Sequence, residues 1–344
     1  MGYTAKAVQV VTIKNLYTHM KVSIGIDIGG TGTKFGIVSL EGKVLYQGAI
    51  PTQSEAKFED FIKLLAKEIK KGLDPKKYEL IGIGVGAPNA NYYKGTIEHA
   101  PNLRWKGILP LANNLEDEFG VPVVITNDAN AAAVGEMIFG GAKDMKDFIV
   151  ITLGTGLGAG IVSNGKIVNG AHGFAGELGH TTVNYVGGRF CGCGKRGCLE
   201  TYVSATGIKR TVYKLLADHN EESELRSVSF DELSAEMITK YALKGDFIAI
   251  KAFEYTGRIL GTKLADTVVH SDPEAIFIFG GLSLAGDLIF DPTKEHMEKH
   301  LMPIFKGKIK IISSQLQNQS APIIGASSLV IDKLKKDQEE LLNS

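Results

Sequence analysis

The chain has 344 residues, 44% of them hydrophobic, which suffices for two domain-sized cores and excludes a disordered protein. Lysine plus arginine equals aspartate plus glutamate at 38 each, so no overall basic field attracts nucleic acid. The apolar runs are shorter than the roughly 18 residues of a membrane span, and residues 1–20 lack a continuous signal-peptide core. We therefore expect a cytoplasmic protein whose partner is a small molecule, not nucleic acid or a membrane.

An internal repeat organises the chain. Residues 36–45 and 160–168 both begin Gly-Ile-Val-Ser, and each pattern predicts a strand, a turn and a second strand. An apolar strand ending in a glycine-rich turn precedes each of them, at residues 24–31 and 149–156. Two more apolar strands follow in each half: residues 80–87 and 121–126 in the first half, and residues 275–281 and 309–313 in the second.

This order predicts an α/β fold in which a mixed sheet covered by helices occurs twice, with ligands bound in the cleft between the halves. The expected domains are an extension (1–21), a small α/β domain (22–139) and a larger one (140–321), followed by an amphipathic helix (322–344) on the small domain. An insertion of roughly residues 170–245 in the second half holds all the cysteines. The stretch 58–71 predicts an amphipathic scaffold helix.

The first glycine-rich turn joins two strands, so it is neither a Walker loop nor a dinucleotide fingerprint. Its backbone amides and hydroxyls are expected to surround a phosphate, and Asp27 is placed to hold Mg2+ through water. Thr155 and Gly156 offer similar contacts from the second half. Gly280 and Gly281 end a strand where a nucleoside could approach, although a simple turn explains them equally well. The other candidates of the first turn are Gly29, Gly30, Thr31, Thr33 and Lys34.

Asp128 follows the strand 121–126 and begins an alanine-rich helix. A carboxylate at a strand end that faces a cleft can accept the proton of an alcohol, which makes Asp128 a candidate general base. It could instead be a helix cap, and Asn130 could fill that capping position in its place. Asn127 beside it is expected to hold a neighbouring hydroxyl.

Further polar side chains are suited to a polyol, because each hydroxyl of a desolvated sugar needs a hydrogen-bonding partner. Glu177, His180 and Glu200 form this expected acceptor cluster, with Asn102 as a further candidate. The loop 86–89, which begins with Gly86, is expected to influence which sugar fits. Trp105, the only tryptophan, either stacks on the sugar or packs in the core.

The three cysteines, Cys191, Cys193 and Cys198, lie in one eight-residue stretch. Three thiols cannot pair evenly, and Cys191 and Cys193 are too close in sequence for a relaxed disulfide. Three thiolates and one imidazole are a common ligand set for structural Zn2+, with His180 as the fourth ligand. Three ordinary reduced thiols are the alternative. If zinc binds one nitrogen of His180, the other nitrogen can face the sugar.

Taken in order, these motifs make the chain resemble the ROK family of sugar kinases and sugar-responsive repressors, from about Val22 to the C-terminus. The resemblance implies two actin-like (ribonuclease H-like) domains that close over a hexose and ATP with Mg2+. It implies that Asp128 is the general base and that Asn127, Glu177, His180 and Glu200 contact the sugar. It also implies zinc on His180 and the three cysteines, and a homodimer or homotetramer.

Several activities fit the resemblance. Phosphorylation of glucose at the C6 hydroxyl is our first expectation, and kinases for N-acetylmannosamine, N-acetylglucosamine, fructose or allose are alternatives. Polyphosphate could replace ATP, because the same turns would hold either donor. A sugar-sensing transcriptional regulator is the alternative from another class. The intact first turn disfavours a regulator, and the residues before Val22 are expected to be too few for a winged helix-turn-helix domain.

Overall fold

The computed structural model describes residues 19–316 and 320–342, so most of the predicted extension lies outside it. The first half begins with antiparallel strands β1 (Met20–Ile28), β2 (Gly32–Ser39) and β3 (Val44–Pro51). The rest of this half consists of α1 (Phe58–Lys70), β4 (Tyr78–Gly86), β5 (Ala90–Asn91), β6 (Thr96–Glu98), β7 (Ile108–Leu109), α2 (Leu111–Phe119), β8 (Val123–Thr126) and α3 (Asp128–Ile138).

The second half repeats the pattern and adds helices. It contains β9 (Phe148–Leu153), β10 (Leu157–Ser163), β11 (Lys166–Ile167), α4 (Ala205–Asp218), α5 (Ala235–Leu243), α6 (Phe247–Ser271), β12 (Ala275–Phe279), α7 (Asp287–His300), β13 (Lys310–Ser313) and α8 (Ala321–Leu342). Among the described residues, every helix is too short or too polar to span a bilayer.

Both halves contain a five-stranded sheet with the same topology, which confirms the predicted α/β fold. The strand orders are β3-β2-β1-β4-β8 and β11-β10-β9-β12-β13. In each sheet the first three strands in sequence are antiparallel and the last two run parallel to the first. Strands β5 to β7 form a small separate sheet. The insertion holds short helices and loops, and none of its described residues joins a five-stranded sheet.

Helix α1 has the predicted amphipathic form, with its apolar side buried against the first sheet. The C-terminal helix α8 packs on β1 and β4 of the same sheet because glycines on those strands admit its backbone. A Cβ on Gly25 would lie 2.0 Å from the Ile323 carbonyl oxygen, and one on Gly84 would lie 1.8 Å from that of Ala326. The chain passes between the halves after α3 and again before α8, and a cleft opens beside these two crossings.

Candidate active site

The cleft has a volume of about 400 Å³ and is lined by both halves. The first half contributes the end of β1, the start of α3 and loops near Asn89 and Asn102. The second half contributes the β9–β10 turn, the end of β12 and two carboxylates from the insertion. The predicted site residues that line the cleft are Asp27, Gly29, Gly30, Asn102, Asn127, Asp128, Thr155, Gly156, Glu177, Glu200 and Gly280.

Asp128 is the first residue of α3, but it is not the cap of that helix. Asn127 is the cap, and its Oδ1 accepts a hydrogen bond from the Asn130 backbone nitrogen at 2.6 Å. The Asn130 amide instead donates to the Thr126 hydroxyl at 3.1 Å. The Asp128 side chain is exposed to the cleft, and the protein atoms around that cleft raise its pKa by desolvation. A raised pKa makes the carboxylate a stronger proton acceptor.

Asp27 lies at the end of β1, paired with Gly86 on β4. Burial, followed by the nearby charge of Asp128, raises the pKa of Asp27 to about 6. Gly86 does not line the cleft; it lies behind both carboxylates. A Cβ built there would be 3.5 Å from the Asp128 Cα and 3.8 Å from the Asp27 Oδ1. The two acids therefore share one edge of the first sheet.

The first glycine-rich turn only partly matches its predicted role. Gly29 and Gly30 line the cleft, whereas Thr31 is exposed outside it. Thr33 was a wrong choice for a hydroxyl contact, because its side chain is buried and bonded to the Thr52 hydroxyl at 2.8 Å. Lys34 is exposed and does not line the cleft. The alternation of β2 explains both outcomes, since successive side chains point to opposite faces.

The second turn lines the same cleft from the second half. Thr155 and Gly156 line the cleft, and a Cβ on Gly156 would be 2.8 Å from Glu200 Oε2. Gly280 has φ +104 and a Cβ there would lie 2.6 Å from the Leu153 carbonyl oxygen, so glycine permits β12 to end close against β9. Gly281 does not line the cleft but begins a short 3-10 helix, Gly281–Ala285.

The expected sugar acceptors form a connected group. Glu177 and Glu200 line the cleft, and His180 lies behind them with its Nε2 3.8 Å from Glu177 Oε2 and its Nδ1 3.7 Å from Glu200 Oε1. Burial raises the pKa of Glu177; His180 opposes this, while the charges of Asp128 and Glu200 add to it. The ring of His180 therefore lies within 4 Å of both carboxylates but does not line the cleft itself.

His180 and the three cysteines form a potential metal site, with their ligand atoms within 4.8 Å of one another. The Cys193 and Cys198 sulfurs are 3.7 Å apart, and the Cys191 sulfur is 3.6 Å from His180 Nδ1. A tetrahedral zinc ion would require about 3.8 Å and about 3.5 Å for such pairs. Burial, and Glu200 at 3.0 Å, raise the pKa of Cys191, and a cation would stabilise its thiolate. The residues fit zinc.

Sequence reasoning missed several residues of the cleft, among them Thr152 and Glu136. Glu136 is buried in α3; its Oε2 accepts from the Gly141 nitrogen at 2.8 Å, and its Oε1 accepts from the Ser314 hydroxyl. It thus connects both crossings between the halves. The sequence signal that could have identified Glu136 is a single carboxylate among the alanines of one helix. Trp105, which had two interpretations, packs against Phe58 and Phe61 and does not line the cleft.

The chain is similar to known proteins over most of its length. The sequence model of the ROK family matches residues 23–333. A glucokinase of Halalkalibacterium halodurans is 38% identical over 89% of this chain and 94% of its own length. A xylose repressor of Caldicellulosiruptor bescii is 31% identical over 90% of this chain and 78% of its own length.

A solved structure is similar over nearly the whole described fold. It is a ROK family glucokinase from Streptomyces griseus in complex with glucose and AMPPNP, with a TM-score of 0.77 and 33% sequence identity. The similarity covers 90% of this chain and 99% of that protein.

Proposed function

The chain belongs to the ROK family, and we propose that it is an ATP-dependent hexokinase that phosphorylates glucose at the C6 hydroxyl. The observation that carries this proposal is the position of Asp128, open to a cleft that also contains Glu177, Glu200 and two glycine-rich turns. Relatives and a solved structure named as glucokinases support the choice of glucose and ATP.

In the proposed reaction, Asp128 accepts the proton of the sugar hydroxyl as its oxygen attacks the γ-phosphorus of ATP. The bond from that phosphorus to the bridging oxygen of ADP breaks, so that sugar phosphate and ADP are formed. The raised pKa of Asp128 favours this proton transfer. Asn102, Asn127, Glu177 and Glu200 hold the other hydroxyls, and enclosure by both halves limits the access of water, which would otherwise compete as acceptor.

The donor phosphates lie, in this proposal, between the turn at Gly29 and Gly30 and the turn at Thr155 and Gly156. Mg2+ would neutralise charge on the donor phosphates, and Asp27 is the carboxylate placed to hold it through water. Gly280 leaves room for the nucleoside beside β12.

We propose structural zinc at His180, Cys191, Cys193 and Cys198, supported by ligand atoms within 4.8 Å of one another. Zinc on Nδ1 of His180 would leave Nε2 directed at Glu177, which it approaches to 3.8 Å. The ion would then hold a sugar-binding carboxylate in place without taking part in the reaction. The assembly into a dimer or tetramer stays a prediction.

A coupled assay of ADP release tests the function. Purified protein with ATP and Mg2+ is given glucose, fructose, allose, N-acetylglucosamine, N-acetylmannosamine or no sugar. The proposal predicts glucose-dependent ADP release with the highest kcat/KM for glucose. Higher kcat/KM for another sugar would transfer the proposal to that substrate, and ADP release independent of every sugar would contradict it. Repeating the assay with polyphosphate identifies the donor.

A sugar-sensing regulator is the second candidate, and its specific support is the 31% identity to a xylose repressor. The first-half turn and Asp128 favour the kinase, since a regulator has no need of a phosphate donor or a base. The regulator would be favoured if the protein shifted DNA in a gel-shift assay, sugar abolished that shift, and no sugar-dependent ADP release occurred.

A further inference from the structure

We propose that Gln53 is a positioning residue that couples the nucleotide turn to the sugar-binding loop. Its side-chain amide donates to the Gly30 carbonyl oxygen at 2.6 Å and to the Asn102 carbonyl oxygen at 3.2 Å. Gly30 and Asn102 both line the cleft. One NH2 group therefore joins the backbones of two segments. The proposed function, on which this inference rests, assigns the phosphate donor to the Gly30 segment and the sugar to the Asn102 segment.

The two segments also touch directly. A Cβ built on Gly30 would lie 3.2 Å from the Asn102 Cβ and 3.3 Å from its carbonyl oxygen. Glycine at position 30 therefore permits a close approach that a larger residue would widen. Because the segments are in contact and also bridged by Gln53, a shift of the Asn102 backbone on sugar binding is transmitted to Gly30.

Residues 99–107, which contain Asn102, belong to no helix or strand; a backbone bond from the His99 nitrogen to the Gly107 carbonyl oxygen closes the loop, and side chains hold its middle. Three consecutive carbonyl oxygens accept from side chains: those of Pro101 and Leu103 from Lys106 at 3.3 and 2.6 Å, and that of Asn102 from Gln53. Removing the Gln53 donor would therefore free the middle of the loop while Lys106 continues to hold both sides.

The Gln53 backbone is itself held by a second residue of the Asn102 loop. Arg104 donates to the Gln53 carbonyl oxygen at 3.0 Å and to that of Glu55 at 3.3 Å. The preceding residue is held as well, because the Thr52 nitrogen donates to the Thr31 carbonyl oxygen at 3.0 Å. The amide thus extends from an anchored backbone, and its position depends on both the first turn and the sugar loop.

The hydrogen-bonding chemistry at position 53 predicts how variants of Gln53 rank in their coupling between the two ligands. Both acceptors are carbonyl oxygens, so only a hydrogen-bond donor fits between them. Gln53→Met keeps the length of the side chain but has no donor, and Gln53→Glu directs a carboxylate at two oxygens. Gln53→Lys restores a donor. The side chain is exposed, so these changes are expected to leave folding intact.

The test is the affinity of the full-length protein for a non-hydrolysable ATP analogue, measured by calorimetry with and without saturating glucose. The ratio of the two dissociation constants is the coupling between the ligands. We expect a wild-type ratio on the order of tenfold, a ratio about two- to tenfold smaller for Gln53→Met, the smallest ratio for Gln53→Glu, and partial recovery for Gln53→Lys. Gln338→Met, an exposed glutamine far along α8, should keep the wild-type ratio.

A wild-type ratio of one would overturn the inference, as would a Gln53→Met ratio equal to that of wild type. A merely structural role would weaken both ligands and leave the ratio unchanged, which also contradicts it. If the wild-type protein binds the analogue but no hexose of the panel, the proposed function fails, and the inference fails with it. If the hexose is another sugar, the titrations are run with that sugar.

Discussion

The two glycine-rich turns that line the cleft occupy the same place in the two repeated sheets but differ in chemistry. In the first, Asp27 pairs with Lys34 across the hairpin; in the second, Thr152 pairs with Gly158. A Cβ on Gly158 would meet the Thr152 hydroxyl at 2.7 Å and the Asp128 Oδ1 at 3.6 Å. The first turn thus supplies a charge, whereas the second has a glycine beside the proposed base, where a side chain would not fit without displacing its neighbours.

In the proposed function, different parts of the molecule bind the two ligands. The duplicated hairpins would provide two similar backbone frames for the phosphate donor, and most residues that contact the sugar would lie outside the repeat. The carboxylates Glu177 and Glu200 come from the insertion, and Asn102 comes from a loop beside the small third sheet. The following changes test this division, in order of expected effect.

Asp128→Asn should have the largest effect. It keeps the size of the side chain and removes its basicity, so kcat should fall about 100- to 10,000-fold. Sugar binding, measured by calorimetry, should persist because the other acceptors remain. Activity close to that of wild type would remove Asp128 from the role of base and leave the cleft without its proposed chemistry.

Cys198→Ser tests whether the insertion depends on metal. Loss of a buried sulfur ligand should lower the zinc content from about one ion per chain and raise the KM for the hexose about 10- to 100-fold, since Glu177 and Glu200 lose their support. The KM for ATP should change much less. Metal analysis and both KM values are the measurements, and a wild-type protein that contains no zinc after purification in zinc-supplemented medium would contradict the metal site.

Asp27→Asn tests the charge in the first turn. Because the pKa of Asp27 is raised from 3.8 to about 6 in the folded state, ionisation of Asp27 destabilises the fold: the penalty grows as the pH rises between these two values, is complete above about pH 6, and is absent when both states are protonated. The variant should therefore gain about 1 to 3 kcal/mol in free energy of unfolding at pH 8 and almost nothing at about pH 4. Its ATP-dependent turnover should fall. Urea denaturation at both pH values measures the gain, and equal stability of the two proteins at pH 8 would contradict the proposed penalty for ionising Asp27 in the folded protein.

Gly158→Ala tests the requirement for glycine in the second turn. The added methyl group would lie 2.7 Å from the Thr152 hydroxyl and 3.0 Å from the Ala129 Cβ, so it should push the turn away from Asp128 and lower kcat about three- to tenfold. Gly32→Ala in the first hairpin is the matched control, because a Cβ there meets only one atom within 4 Å. Steady-state kinetics of both variants measure kcat. Equal kcat values for Gly158→Ala and Gly32→Ala would contradict the prediction, because the two hairpins would then tolerate a side chain equally well.

The sequence predicted the paired sheets because each half repeats the same apolar strands and turns, such as residues 36–45 and 160–168. It also brought Asp128, Glu177 and Glu200 to one cleft. It failed at Thr33, where strand alternation with buried Phe35 could have placed the side chain in the core. Gln53 was beyond local patterns, and for Glu136 the sequence offered only a carboxylate among alanines, since the partners of both residues are distant in sequence and only tertiary structure joins them.

A crystal structure of the protein with glucose and a non-hydrolysable ATP analogue tests the central proposal most directly. We predict an Asp128 carboxylate oxygen about 2.6 to 3.2 Å from the C6 hydroxyl, with the γ-phosphate beyond that hydroxyl and between the two turns. A structure in which the Asp128 side chain contacts only protein, while the hydroxyl nearest the γ-phosphate lies beside another residue, would contradict the account.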